Sequence, residues 1–219
     1  MKRQVVALIA LLGLFGLACG LLDDDATTVT YHPTIPLEYT VDANEWCDSG
    51  DFDCEEEQEP APQDIGLAHV EHGDDVDLAE LIAEAYDEDE DDIRDMAGQL
   101  RTLEITSIRY KVEDNDLTFD VPDIELHVGP LGMEDSDDED AIYLTTIPST
   151  DAGTDADGTA EVSEEDREAS SELFKQLEFA AVAGLEPKIR EGQYVPPSGD
   201  AEVEVTIDLR IQANPRDGL

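Results

Sequence analysis

Basic residues are scarce in this chain. Four lysines are present, and Lys and Arg together number 12 against 57 Asp and Glu, a net charge of −45. So acidic a surface repels phosphate backbones, which excludes nucleic acid as a partner. Catalytic signatures are missing as well. No Gly-x-Ser-x-Gly elbow occurs, and no Gly-x-x-x-x-Gly-Lys loop could cradle a phosphate. Neither Cys47 nor Cys54 has a histidine nearby in sequence, and paired carboxylates for glycoside hydrolysis cannot be singled out among so many acids. No internal repeat has a fixed period. The sequence therefore offers no nucleophile with a base, and the expectation is a protein that is not an enzyme.

What is present begins at the N-terminus. Lys2 and Arg3 precede an apolar run over residues 5–18, which ends in small residues before Cys19. A basic start, an apolar core and a small-residue cut site make a secretory signal. An uncleaved anchor helix is the alternative reading, at about 18 residues the shortest that spans a bilayer. The segment Gly16-Leu17-Ala18-Cys19 resembles the lipoprotein signal peptides of bacteria. That resemblance implies a diacylglycerol on the Cys19 thiol, cleavage after residue 18 and membrane attachment through the N-terminal lipid. The same Gly-Leu-Ala also satisfies the small-x-small rule of the ordinary signal peptidase. By the same resemblance, Gly20 implies sorting to the outer membrane.

Only three cysteines occur. An odd thiol is a liability in an oxidising compartment. With Cys19 acylated, Cys47 and Cys54 are left to pair around a turn containing Asp48, Gly50 and Asp51. Removing Lys2 and Arg3 with the signal takes the charge from −45 to −47. Acidic excess with scarce lysine resembles proteins of salt-loving organisms. Full disorder is not expected, because 40% of residues are hydrophobic and they are patterned.

The pattern predicts a tether over 19–27 and then one domain over 28–219. Val29, Tyr31, Ile35, Leu37, Tyr39 and Val41 alternate, and Pro33 and Pro36 mark an edge strand. An acidic linker is expected near 55–75. Two helical stripes follow, Leu78-Leu81-Ile82-Ala85 and Ile93-Met96-Ala97-Leu100, broken by the acidic run 87–92. Period-2 alternation over 103–128 predicts a hairpin, with a bulge near Ser107. A short strand is expected over 141–147. Ser163 and Asp166 form a capping box before a helix whose stripe runs through Leu173, Leu177, Ala180 and Ala181 to a stop at Gly184. Val203, Val205, Ile207, Leu209 and Ile211 make the clearest strand. The expected fold is mainly β, a sandwich or antiparallel sheet with two or three packed helices, with α+β as the alternative.

Calcium is the one cofactor for which the sequence offers a site. Around Gly158, Asp155 and Asp157 fall at ligand positions 3 and 5 of an EF-hand-like loop, Glu161 at 9 and Glu164 at 12. Position 1 is Gly153, without a side-chain ligand, so a solvated acidic loop is the other reading. His69 and His72, three apart, are a second metal candidate beside a plain surface pair. Trp46, Tyr39 and Tyr31 read either as an aromatic binding patch or as plugs at the core edge. The expected function is a non-enzymatic envelope lipoprotein, a structural or interaction module with an envelope protein as partner. A calcium-binding or adhesion module using 153–164 is the alternative, and an envelope hydrolase comes third.

Overall fold

The alternation at the C-terminal end builds the centre of the protein. In the computed structural model, which describes residues 28–48 and 52–213, the strand Asp200–Ala213 buries Ala201, Val203, Val205, Ile207, Leu209, Ile211 and Ala213 on one face. In chain order the strands are β1 (Val29–Tyr31), β2 (Thr34–Asp42), β3 (Glu59–Pro60), β4 (Ile65–Gly66), β5 (Val70–Asp77), β6 (Leu100–Glu113), β7 (Ile124–Gly129), β8 (Ile142–Ile147), β9 (Ala156–Ala160), β10 (Glu178–Leu185), β11 (Lys188–Ile189), β12 (Tyr194–Val195) and β13 (Asp200–Ala213). The α-helices are α1 (Asn44–Asp48), α2 (Leu78–Tyr86), α3 (Glu90–Met96) and α4 (Glu164–Phe174).

The main strands form two antiparallel sheets. One has the order β2-β13-β6-β9, with β1 also on β13; the other has the order β5-β10-β7-β8. Taken in chain order, β2, β5, β6, β7, β8, β9, β10 and β13 alternate between the sheets except at β7–β8. Eight strands wound in this way are a jelly roll, the double-sheet solution to the edge problem. The inward side chains of both sheets join one apolar cluster, from Leu37 and Val205 on one side to Leu126 and Phe179 on the other. The pairs β3–β12 and β4–β11 are short accessory ladders.

The local rules hold at several points. Opposite Asp208 and Leu209 the β6 register skips Thr106, so the bulge near Ser107 lets Leu103, Ile105, Ile108 and Val112 all reach the core. Asp87 takes φ 55° at the end of α2, and Asp77 and Asp89 cap α2 and α3. Ser163 caps α4 by accepting from the Asp166 amide, and its hydroxyl donates to the Asp166 carboxylate, where a full capping box would use the Ser163 backbone amide.

Three expectations are corrected. The segment 103–128 is not a hairpin: β6 and β7 lie in different sheets. The residues between them cross the end of the sandwich, with the amides of Asp116 and Thr118 donating to Asp200 and Ser198. The linker near 55–75 contains three strands, including most of β5. An edge strand with only Val76 fully buried carries too little alternation to read. The last helix stops at Phe174, Leu177 turns at φ 64°, and 178–185 is the strand β10 that contains Gly184. β10 is buried on both faces, and a short, wholly apolar run has the same look in a helix and in a buried strand.

Candidate functional site: two polar clefts at the sandwich surface

Residues directly opposite on an antiparallel pair share a face. Gly184 of β10 therefore brings Glu71 of β5 and Glu125 of β7 to the outer face of the second sheet. The acidic segment 130–141 lies over that face. Its Gly132 amide donates to Asp75 at 2.9 Å, and Met133 covers Gly129. Ser136 donates its amide to both Glu71 oxygens at 3.1 and 3.0 Å and its hydroxyl to one of them at 2.5 Å. The His69 ring meets the same carboxylate at 2.8 Å. A Cβ at Gly184 would come within 3.1 Å of Ser136 Oγ and 3.3 Å of His69 Cε1, so a larger residue would press on both side chains. Burial pushes the Glu71 pKa up, but the bonds from Ser136 and His69 outweigh it and hold the carboxyl below its usual range.

Beside this cluster opens a cavity of about 580 Å³, lined by Asp120, Glu125, Ser136, Lys188 and Arg190 among others. Asp120 is buried. Its Oδ1 accepts from Ala152 N at 3.1 Å and Gln193 Nε2 at 2.7 Å. Its Oδ2 lies 2.8 Å from Arg190 Nη1, outside hydrogen-bond geometry, an ion pair by proximity. Ser136, Glu71 and His69 are the three residue types of a hydrolytic relay, but in the wrong order. A relay needs the histidine between hydroxyl and carboxylate. Here the carboxylate stands in the middle, so the Ser136 proton is committed to Glu71. The cluster positions the 130–141 segment over the sheet.

The second cleft lies between the edge strands β2 and β5. His72 and Asp74 stand opposite Ala183 and Ala181, both core residues, so they occupy inward positions. Two adjoining hollows of about 490 and 380 Å³ share Glu38 and Asp74. Glu38, Asp42, Glu45 and Asp74 are among the residues that line the larger, with His72 as its one basic residue. Glu45 lies 3.9 Å from His72. Burial raises the Glu45 pKa, against the pull of His72 and with the push of Asp42. Tyr39, 5% exposed, lines the same hollow, and its hydroxyl has no hydrogen-bond partner.

Cys47 and Cys54 form a disulfide with Cα atoms 5.7 Å apart. Cys19 lies outside the described residues. Asp157 sits on β9, Asp155 just before it, Glu161 just after it and Glu164 at the start of α4. β9 pairs with β6 from Ala156 to Ala160. At about 3.3 Å per residue, that extended backbone sets Asp157 and Glu161 about 13 Å apart, so the four acids are not brought around one ion. His69, just before β5, and His72, within it, also diverge, one to Glu71 and the other towards Glu45. Among the described residues no group of three His, Cys, Asp or Glu side chains is placed to hold a metal.

Of the aromatic trio, Trp46 and Tyr39 are buried. Trp46 packs edge-on against Phe119 at 5.5 Å and donates to Ala68 O at 3.0 Å. Tyr31 packs on Tyr86 at 5.1 Å. They are plugs of the core edge rather than a displayed patch. Sequence reasoning missed Ser136, Glu71 and Asp74, because nothing local distinguishes them from the solvated acidic segments around them.

Fold and clefts define a jelly-roll sandwich with acidic recesses at one face and one edge. No family model matches the chain, and no curated protein matches it. Among solved structures it is similar to one titled Desmodium yellow mottle tymovirus, at 9% identity and TM-score 0.26 over 83% of this chain and 89% of that one. It is also similar to the infectious bursal disease virus Gx strain structure, at 9% identity and TM-score 0.23, where it spans 37% of that chain.

Proposed function

We propose that this chain is a lipid-anchored envelope protein that binds a partner and is not an enzyme. Cys19 carries the lipid, and the acidic sandwich is displayed from the outer membrane on the 19–27 tether. The observation that carries the reading is the Cys47–Cys54 bond. It consumes two of three thiols and leaves Cys19 as the one free for an acyl chain. The carboxylate-centred arrangement of Ser136, Glu71 and His69 supports binding over hydrolysis. Intact-mass spectrometry of the membrane-extracted protein tests the anchor. The expected product starts at Cys19 and carries added acyl mass. A soluble product with unmodified Cys19, or a retained Met1, refutes it.

A further inference from the structure

We propose that the acidic segment 130–141 is a strap governed by ionic strength, shut over the second sheet in high salt and lifted as salt falls. The device depends on neither the lipid nor the partner of the proposed function.

The first support is the bed on which the segment lies. Gly73, Gly129 and Gly184 stand on the outer face of β5, β7 and β10, and the strap runs close above all three. A Cβ at Gly129 would strike the Met133 sulfur, and one at Gly73 would touch the Met133 carbonyl at 3.5 Å. Met133, Ala180 and Val182 bury one another in a cluster separate from the main core. One methionine therefore holds the strap by apolar contact, and lifting it leaves the main core packed.

The second support is the sign of the charges. The strap carries six exposed acids, Glu134, Asp135, Asp137, Asp138, Glu139 and Asp140, and no lysine or arginine. Glu71, Asp75 and Glu125 stand on the face beneath it. Among the described residues, its hydrogen bonds to the rest of the protein run from the Gly132 amide to Asp75 and from the Ser136 amide and hydroxyl to Glu71. These donors are neutral. His69 bonds Glu71 itself, while Lys188 and Arg190, which share the cavity wall with Asp137, sit on Asp64 and Asp120. Repulsion between exposed like charges is screened strongly, and short bonds from neutral donors are screened little. Salt thus weakens what lifts the strap and spares what holds it. The Debye length is about 30 Å at 0.01 M and about 3 Å at 1 M, so the repulsion spans the whole strap in dilute salt and is local in concentrated salt.

Lifting uncovers Met133, Ala180 and Val182. It also takes Ser136 and Asp137 out of the wall of the cavity of about 580 Å³. Ionic strength therefore sets whether that cavity is complete.

Amide hydrogen exchange of the full chain in detergent, followed by NMR at fixed pH across a NaCl series, tests the strap. Protection of the Gly132 and Ser136 amides should fall at least about tenfold from about 1 M to about 0.02 M NaCl, and should stay below that of the β13 amides throughout. Glu134→Gln, Asp137→Asn and Glu139→Gln together halve the strap charge and keep Asp135 and Asp138, which bond within it. This triple variant should restore low-salt protection by about fivefold. Glu38→Gln, Glu202→Gln and Glu204→Gln remove the same charge from the outer face of the other sheet. They should change strap protection by less than about twofold. Three results would each overturn the proposal: strap protection that ignores NaCl, strap amides that open only together with β13, or equal effects of the two triple variants.

Discussion

The guanidinium of Arg94 donates to one carboxylate oxygen of Asp77 while the other oxygen caps α2 through the Glu80 amide. Asp77 also stands directly opposite Glu178 across the β5–β10 ladder. Two like charges facing each other on a ladder repel. Arg94 resolves this by bonding Glu178 at 2.8 Å and Glu90 at 2.9 Å as well. Arg94→Met keeps the length and removes the cation, so it leaves three carboxylates together. The expected outcome is a lower melting temperature by calorimetry, with a larger drop in low salt than in high. An unchanged low-salt melting temperature would remove Arg94 from the account.

Glu71 gives the fold a dependence on acid. Its folded pKa lies below its ordinary 4.5, so its contribution is present above that value and is lost as pH falls through the folded one. Ser136→Ala removes one of the bonds that lower it and keeps the backbone donor. At neutral pH the variant should be less stable by about 1.5 kcal/mol. The gap between variant and parent should close in acid, once Glu71 is protonated in both. Urea midpoints measured from neutral pH down to about pH 3 follow this directly; a gap of constant size contradicts it.

The strands that alternate were readable, and those that do not were not. β13 and the bulged β6 announce themselves, because one face is buried and the other wet. β10 carries no alternation because the core covers one side and Met133 the other. β5 carries none because it is an edge with His72 and Asp74 at inward positions. That departure from the apolar rule is also what makes the edge furrow, so the site was hidden by the feature that creates it. The Glu71–Ser136 contact joins residues 65 apart in sequence, and only the winding of the sheets brings them together.

Phe174 at the end of α4 and Phe179 of β10 pack with ring centroids 4.5 Å apart and planes tilted by 40°, both fully buried. This contact closes the end of the sandwich where the chain leaves the helix. Phe179→Ala should cost about 3–5 kcal/mol in urea unfolding. Phe179→Leu, which keeps most of the volume, should cost less than about 1.5 kcal/mol. Equal costs would mean that the position tolerates collapse and that the pair is not what fixes the helix end.

Salt should stabilise the whole protein. Acids outnumber bases 57 to 12, and several of the cations already sit on carboxylates: Arg109 on Asp208, Lys188 on Asp64, Arg210 on Glu104. Twelve cations leave most of the acids unpaired, so added salt has more repulsions to screen than attractions to weaken. The Debye length falls from about 10 Å at 0.1 M to about 3 Å at 1 M. Acids that neighbour each other along a helix face are about 5–6 Å apart, so their repulsion is screened only towards the upper end of that range. The melting temperature should climb steadily across it in NaCl and equally in KCl. CaCl₂ at matched ionic strength should add nothing beyond screening, because the acids around β9 are spread along an extended strand. A flat response to NaCl would show that the acidic surface costs the fold little. A calcium-specific rise would mean that Asp155, Asp157, Glu161 and Glu164 converge on an ion after all.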